Sequence, residues 1–430
     1  MRMYFHFFIV FVFGALISAS VSAQTAQNLT LQNAEQIAIQ NHPRIQAATN
    51  LAAAAKAQVT QARSAYYPTV YGSLTGVVAE NNSRVAAGAL NNPIIFDRYA
   101  NGATVSQLVT DFGRTHELVK SSNLHAQAEQ ENVVTSRADV LLEVDQSYFG
   151  VLKAQSVLTV AQEAVKERRL VADQITELQR NKLRSGLDVS FADVNLAQAQ
   201  LLLIQAQNDL QSSFARLSAA LGYSEQRTFQ LTEEAVPPPP PPNLSELIQQ
   251  ALRDRPELIS QRFDVGAAQS YATAERDLKL PTISALGTAG LVPENAAALA
   301  PRYAAAGFNV NIPIFNGHLF GALQSEAASR AEAQNQDLRG MQNQIVRNLQ
   351  TAWFNSNSAF QRLSVTQQLL NQADQALDLA QERYKLGLSS IIELSQAQLN
   401  QTQAQIEQAS SKYDYEAEIS ALNYQLGALH

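Results

Sequence analysis

The chain has 430 residues, 46% of them hydrophobic, with 38 acidic and 31 basic side chains and a formal charge of −7. Basic residues spread this thinly form no stripe for nucleic acid, and the hydrophobic content excludes a disordered chain. The absence of cysteine excludes disulfides, thiolate metal ligands and a lipid-modified N-terminal cysteine.

In chain order, Arg2 precedes an apolar run from Tyr4 to Ile17 and then Val21-Ser22-Ala23. A basic start, a short apolar stretch and small residues at its end predict a secretory signal over 1–23, cleaved before Gln24. The run is shorter than the roughly 20 residues of a spanning helix, so it predicts export rather than anchorage. No later segment has enough consecutive apolar residues for a membrane helix, so any membrane crossing falls to β-strands.

An Ala/Gln-rich helical stretch follows from Leu31 to Ala65, interrupted at Pro43, which biases the preceding residue away from helix. Alternation of Val70, Leu74 and Val78 against Tyr71, Ser73 and Thr75 predicts a strand, and Thr104-Val105-Ser106 predicts a second. Between them, Glu80 to Gly102 is rich in Asn and Ala and reads as a surface loop. A long helix is expected from His116 to Leu183, where Val144, Val151, Leu158, Val165 and Ala172 recur every seven residues as in a coiled coil. A glycine turn then leads to a returning helix from Phe191 to Leu221. Six consecutive prolines, Pro237 to Pro242, form an extended polyproline spacer.

Everything before that spacer is written again after it. Asn41-His42-Pro43 is echoed by Asp254-Arg255-Pro256, and Tyr67-Pro68-Thr69-Val70 by Leu280-Pro281-Thr282-Ile283, each at an offset of 213 residues. The second copy predicts helix over Leu244 to Lys279 and strands at Ile283-Ser284-Ala285-Leu286 and at Phe308, Val310 and Ile312. A loop over Val292 to Arg302 separates those strands. A long helix from Leu319 to Leu386 and a return from Ile391 to Leu426 complete the copy. Its heptad positions are Leu349, Leu363, Leu370, Leu377 and Tyr384, with Ala352, Ala359 and Ala373 between them. The domain reading is therefore a signal peptide over 1–23, a first repeat over 24–236, a linker over 237–242 and a second repeat over 243–430.

About 65 helical residues reach about 100 Å, which suits crossing a periplasm. Four amphipathic strands cannot close a barrel; two chains would supply eight, too tight for a lumen, and three would supply twelve. The fold class is thus mainly α with a membrane β-barrel. It is built from a duplicated repeat of two strands and a long helical hairpin and completed by a trimer.

The duplicated prolines, the strand ends Gln107-Leu108-Val109-Thr110-Asp111-Phe112-Gly113 and Ile312-Pro313-Ile314-Phe315-Asn316-Gly317, and the tips Gly186-Leu187-Asp188-Val189-Ser190 and Gly387-Leu388-Ser389-Ser390-Ile391 carry a resemblance. The sequence resembles the TolC family of outer-membrane efflux proteins over essentially its whole mature length. The resemblance implies a homotrimer in the cell outer membrane, with a twelve-stranded barrel and a twelve-helix periplasmic tunnel. It implies passive conduction in efflux or type I secretion, a periplasmic adaptor (membrane fusion) protein as direct partner, and an inner-membrane pump as indirect partner. Lipid of the outer membrane would surround the barrel; no nucleic acid, cofactor or enzymatic activity is implied.

By the same resemblance, Gly186, Leu187, Gly387, Leu388 and Ser389 form adaptor-docking tips, the two glycines also serving as turn residues. Asp193, Glu393 and Tyr384 belong to a periplasmic constriction. The family's latch adds an arginine two residues after the second tip glycine and an acid three residues after Glu393; here neutral Ser389 and Gln396 stand there. His42, His116, His125, His318 and His430 have no ligand spacing, and His116 and His125 fall on opposite helix faces, so no metal site is expected. The alternative reading is an exported coiled-coil scaffold without channel activity, which accounts for the heptads but not for four alternating strands.

Overall fold

The computed structural model describes residues 28–78, 98–294 and 300–429, so the expected signal over 1–23 lies outside the described residues. The first half runs β1 (Asn28–Leu29), α1 (Leu31–Asn41), α2 (Pro43–Arg63), β2 (Thr69–Val77), β3 (Arg98–Thr110), α3 (Arg114–Arg180) and α4 (Gly186–Ala220). The second runs β4 (Gln230–Leu231), α5 (Leu244–Asp254), α6 (Pro256–Arg276), β5 (Thr282–Glu294), β6 (Arg302–Asn311), α7 (Leu319–Lys385) and α8 (Ile391–Gln425).

Local chemistry explains the breaks. His42 and Arg255 sit in extended conformation because a proline follows each, and the proline then starts the next helix where its missing N–H costs nothing. The strand-to-helix corners turn through two successive left-handed residues, Phe112 (φ 56°) and Gly113 (φ 113°) in one repeat, Gly317 (φ 62°) and His318 (φ 69°) in the other. In the first corner the Asp111 carboxylate accepts from Thr115 N at 2.7 Å, capping an otherwise orphaned helix start.

The central stave is α3, which pairs with α4 below and with α2 and α6 above, and also touches α8; α7 pairs with α8 and α6. Of the heptad residues, Val144, Val151, Ala172, Leu349, Leu377 and Tyr384 are buried, as are Ala352, Ala359 and Ala373, while Leu158, Val165, Leu363 and Leu370 are half-buried. Burial of small residues on this seam lets the helices lie close together. Against expectation, α4 is long and apolar enough to cross a membrane by length and composition. It is a member of the coiled coil, and its outward Val194, Leu201 and Ile204 stay exposed in the single chain.

The four long strands form one antiparallel sheet in the order β2-β3-β5-β6. Two loop expectations are corrected: β3 already begins at Arg98 inside the expected Glu80–Gly102 loop, and β5 continues to Glu294 inside the expected Val292–Arg302 loop. Pairing with β2 and β5 holds Arg98 to Gly102 in strand where their own alternation is weak, and pairing with Tyr99 holds Glu294 at the end of β5. Val78 and Ile312 fall one residue beyond their strands. Register sorts the two faces. Val70, Leu74, Val105, Leu291, Phe308 and Val310 share one face, and Tyr71, Ser73, Thr104, Ser106, Thr288 and Asn309 share the other. The first suits lipid, the second a wet lumen.

The polyproline segment is a strap on the tunnel rather than a free spacer. Exposure falls every third residue, with Pro237 half-buried and Pro240 buried, the period of a polyproline helix. Its carbonyls accept from Tyr415 Oη (Pro238, 2.5 Å) and Trp353 Nε1 (Pro241, 2.8 Å). Just before it, β4 pairs in parallel with β1, and the buried Tyr148 hydroxyl sits 2.8 Å and 2.6 Å from the carbonyls of Leu29 and Thr232.

Beside this strap two carboxylates are almost wholly buried, Asp145 on α3 and Glu416 on α8, and neither oxygen of Glu416 has a hydrogen-bond partner among the described residues. Burial pushes Asp145 up to about 7, opposed by a hydrogen bond from Ser420 and reinforced by Glu35. Burial likewise raises Glu416 to about 7, opposed by Lys412 and reinforced by Glu233 and Glu234. A folded chain that keeps these protons while the unfolded chain loses them near pH 4 is most stable in acid and loses that contribution as pH rises through 7. Lowering the pH from 8 to 5.5 should therefore raise the melting temperature of the wild type by more than that of Glu416→Gln. Equal shifts in calorimetry of the two proteins would show that Glu416 is ionised in the fold.

Candidate functional site: the hairpin tips and the sheet

At the far end of the long helices, both hairpins close with the same hydrogen bonds. Lys182 N donates to Gln179 O (2.8 Å) and Leu183 N to Leu178 O (2.9 Å). Gly387 N donates to Tyr384 O (3.0 Å) and Leu388 N to Arg383 O (2.8 Å). This is a Schellman closure, which needs one left-handed residue just past the helix. Gly387 fills that place at φ 74°, but in the first repeat Lys182 fills it at φ 60°. Gly186 is instead the first residue of α4, capped by Ser185, so its expected role as a turn glycine is corrected.

The tips therefore superpose at an offset of 205 residues, Lys182 on Gly387 and Ser185 on Ser390, and not by matching the two glycines. The same offset relates Asp188 to Glu393, making Asp188 the true counterpart of that acid, while Asp193 corresponds to Gln398. Sequence reasoning passed over Asp188. The signal was Ser185-x-x-Asp188 beside Ser390-x-x-Glu393, two helix-start boxes of one kind.

The two acids do different work. Asp188 turns back on its own helix, its Oδ2 accepting from Ser185 N (3.0 Å) and Ser185 Oγ (2.9 Å). Glu393 reaches across the hairpin to Arg383, 3.0 Å away. Asp193 is exposed and forms no ion pair among the described residues. Its neighbourhood is tied to α8 by the buried Asn195–Ser395 hydrogen bond of 2.7 Å. The Gln396 side chain donates to Asn400 along its own helix.

Tyr384 is buried with Ala172, Ile175, Leu377, Ile391 and Leu394. Arg184 from the other hairpin lies 4.2 Å over its ring and donates to its carbonyl at 2.5 Å, bridging the two repeats. Burial, then Asp188, pushes the Tyr384 phenol up, and Arg184 opposes them. Beside it a groove of about 780 Å³ runs between α3 and α7, lined by Leu170, Leu178, Leu183, Tyr384, Leu386 and Leu394. Leu187 and Leu388 are exposed at the turns, and Ser389 is half-buried behind them. The structure thus brings Gly387, Leu388, Ser389, Tyr384 and Glu393 together at one tip and places Gly186, Leu187 and Asp193 on the adjacent one. Among the described residues no acid or histidine cluster could hold a metal ion.

These positions predict opposite responses to one substitution. Gly387→Ala forces a β-carbon into left-handed backbone and should cost about 1 kcal/mol. Gly186→Ala has open space around it and a helical position, and should stabilise by up to about 1 kcal/mol. Thermal melting of both variants against wild type checks the pair of signs.

The family model for outer membrane efflux proteins matches residues 34–223 and 247–428, covering both repeats. The outer membrane protein TolC of Vibrio cholerae is 24% identical, with 98% of this chain and 95% of that protein aligned. A crystal structure of CusC superposes with a TM-score of 0.82 at 18% identity, covering 94% of this chain and 93% of that one. The outer membrane protein VceC of Vibrio cholerae gives 0.78 at 18%, covering 92% and 96%. Channels of this family are trimers that work with efflux-pump components, and they carry a membrane barrel on a periplasmic helical tunnel. With the sheet at one end of its helices and the paired turns at the other, this chain belongs to the outer membrane efflux protein family and is an outer-membrane exit duct for efflux or secretion.

Proposed function

We propose that the chain works as a passive homotrimeric duct whose tips receive a periplasmic adaptor coupled to an inner-membrane pump. The observation that carries this reading is the sheet itself. It has four strands, one apolar face, and edges β2 and β6 unpaired among the described residues. Backbone groups on an open edge in lipid have no water to satisfy them, so the edge of one copy must pair with the next. Three copies supply twelve strands and leave a lumen. The exposed apolar residues of α4 then face neighbouring staves. A scaffold without a channel has no use for the sheet. The mature protein comprises the repeats over 24–236 and 243–430, joined by the 237–242 strap, after removal of the signal over 1–23.

The docking surface is formed by Gly186, Leu187, Gly387, Leu388 and Ser389. The exposed Leu187 and Leu388 supply apolar area on the turn, and Gly387 keeps it narrow. Replacing both leucines by aspartate should abolish export while leaving the trimer assembled in the outer membrane. Cargo efflux from cells producing the variant, compared with its trimer band on a mild detergent gel, is the measurement. Export at the wild-type rate would move the docking site elsewhere.

Asp193 and Glu393 ring the entrance, and Tyr384 holds their helices together from within. Threefold repetition brings carboxylates into a confined space, where they attract cations. Of these two acids Asp193 carries the freer charge, because Glu393 pairs with Arg383 at 3.0 Å. A trivalent cation added on the periplasmic side should block conductance in a planar bilayer, more weakly in high salt. Asp193→Asn should relieve most of the block and Glu393→Gln less. Identical block in all three proteins would leave both acids as solvated helix residues.

A further inference from the structure

On the polar face of the sheet, one row across the strands reads Ser73, Gly102, Gly290, Tyr303. On β3, β5 and β6 the row lies eight residues from the tunnel ends at Thr110, Thr282 and Asn311, and on β2 four residues from Thr69. On those three strands it therefore sits in the outer half of the sheet. Tyr303 does not project from the wall. A β-carbon on Gly102, two strands away, would overlap the Tyr303 hydroxyl and come within 2.9 Å of the Ala289 carbonyl oxygen; one on Gly290 would overlap the Asn101 carbonyl oxygen and come within 2.5 Å of the Tyr303 hydroxyl and 2.6 Å of its Cζ. Strands are about 4.8 Å apart, so the ring lies along the row and crosses β5 to reach β3. Glycine within a strand marks a close approach of this kind, and an aromatic ring laid over it covers the gap. The residue stays 39% exposed.

We propose that Gly102 and Gly290 form a slot in the luminal wall that holds Tyr303 flat, and that this packing sets the width of the outer exit. The inference rests on the duct reading. Three rings, one per protomer, belong to a single level of the barrel. The neighbouring rows, Tyr71-Thr104-Thr288-Ala305 below and Thr75-Ala100 above, contain no glycine slot. A side chain at Gly102 lifts the ring out of the wall, and three lifted phenols narrow the mouth together.

The chain has no cysteine, so Asn309→Cys places a unique thiol on the same face, six residues along β6 and about 20 Å deeper. Intact cells are treated from outside with polyethylene-glycol maleimides of increasing size. In the Asn309→Cys background, labelling by the largest reagent that enters should be lost on adding Gly102→Ala and regained on adding Gly102→Ala with Tyr303→Ala. An unchanged size limit, or a loss that persists without the ring, overturns the proposal. So does a thiol that no reagent reaches in the folded trimer but every reagent reaches after denaturation. If Gly102→Ala fails to assemble, Tyr303→Trp replaces it, since an indole exceeds a slot shaped for a phenol and should give the same loss. Export is measured separately with the native chain. Absent export with the expected labelling pattern refutes the duct reading alone, and normal export with an unchanged size limit refutes the slot alone.

Discussion

A sheet of four strands in a membrane leaves backbone groups along its edges β2 and β6 unpaired among the described residues, and the rest of the molecule is arranged around that constraint. No side-chain chemistry satisfies an edge in hydrocarbon; another strand must. The constraint passes from strands to helices, because each strand pair is joined to long helices that must arrive beneath the barrel as staves of one wall. In the single chain α4 leaves Val194, Leu201 and Ile204 exposed, an apolar surface consistent with a helix that is one stave among several.

Much of this was legible in the sequence because it is periodic. The breaks at Pro43 and Pro256, the seven-residue spacing from Val144 to Ala172, and the alternation around Phe308 and Val310 each report a local rule that tertiary structure left in place. The start of β3 at Arg98 was not legible, since Asn101, Gly102 and Ala103 have no strand preference of their own and are held by β2 and β5 on either side. The strap was legible as polyproline but not as a packed element. Its attachment depends on Trp353 and Tyr415, more than a hundred residues away in sequence.

The tips show why a motif can mislead. Matching Gly186 to Gly387 pairs residues of one type in different roles, while the backbone pairs Gly387 with Lys182. What the fold requires there is a left-handed residue, and glycine is only the cheapest way to supply it. Once the hydrogen bonds set the register, Asp188 takes the place that Asp193 held by proximity to a glycine. The candidate acids divide into one that caps, one that pairs and one that stays free.

The same register exposes where the two repeats are free to differ. The helices agree in length throughout, 67 residues for α3 and α7, 35 for α4 and α8, 21 for α2 and α6, and 11 for α1 and α5. The offset is 213 residues before the strand pairs and 205 after them, so the whole difference is absorbed between β2 and α3 on one side and β5 and α7 on the other. Staves of one cylinder must begin at the membrane and end at the tips on common levels. A single added residue would shift a helix by about 1.5 Å and rotate its buried face by about 100°. A loop at the outer mouth carries no such penalty, because lengthening it costs only slowly growing closure entropy. Equal helices with unequal side chains are thus what a duplicated wall permits: identical spacing from barrel to tip, and at each tip a different assignment of acid, arginine and turn residue.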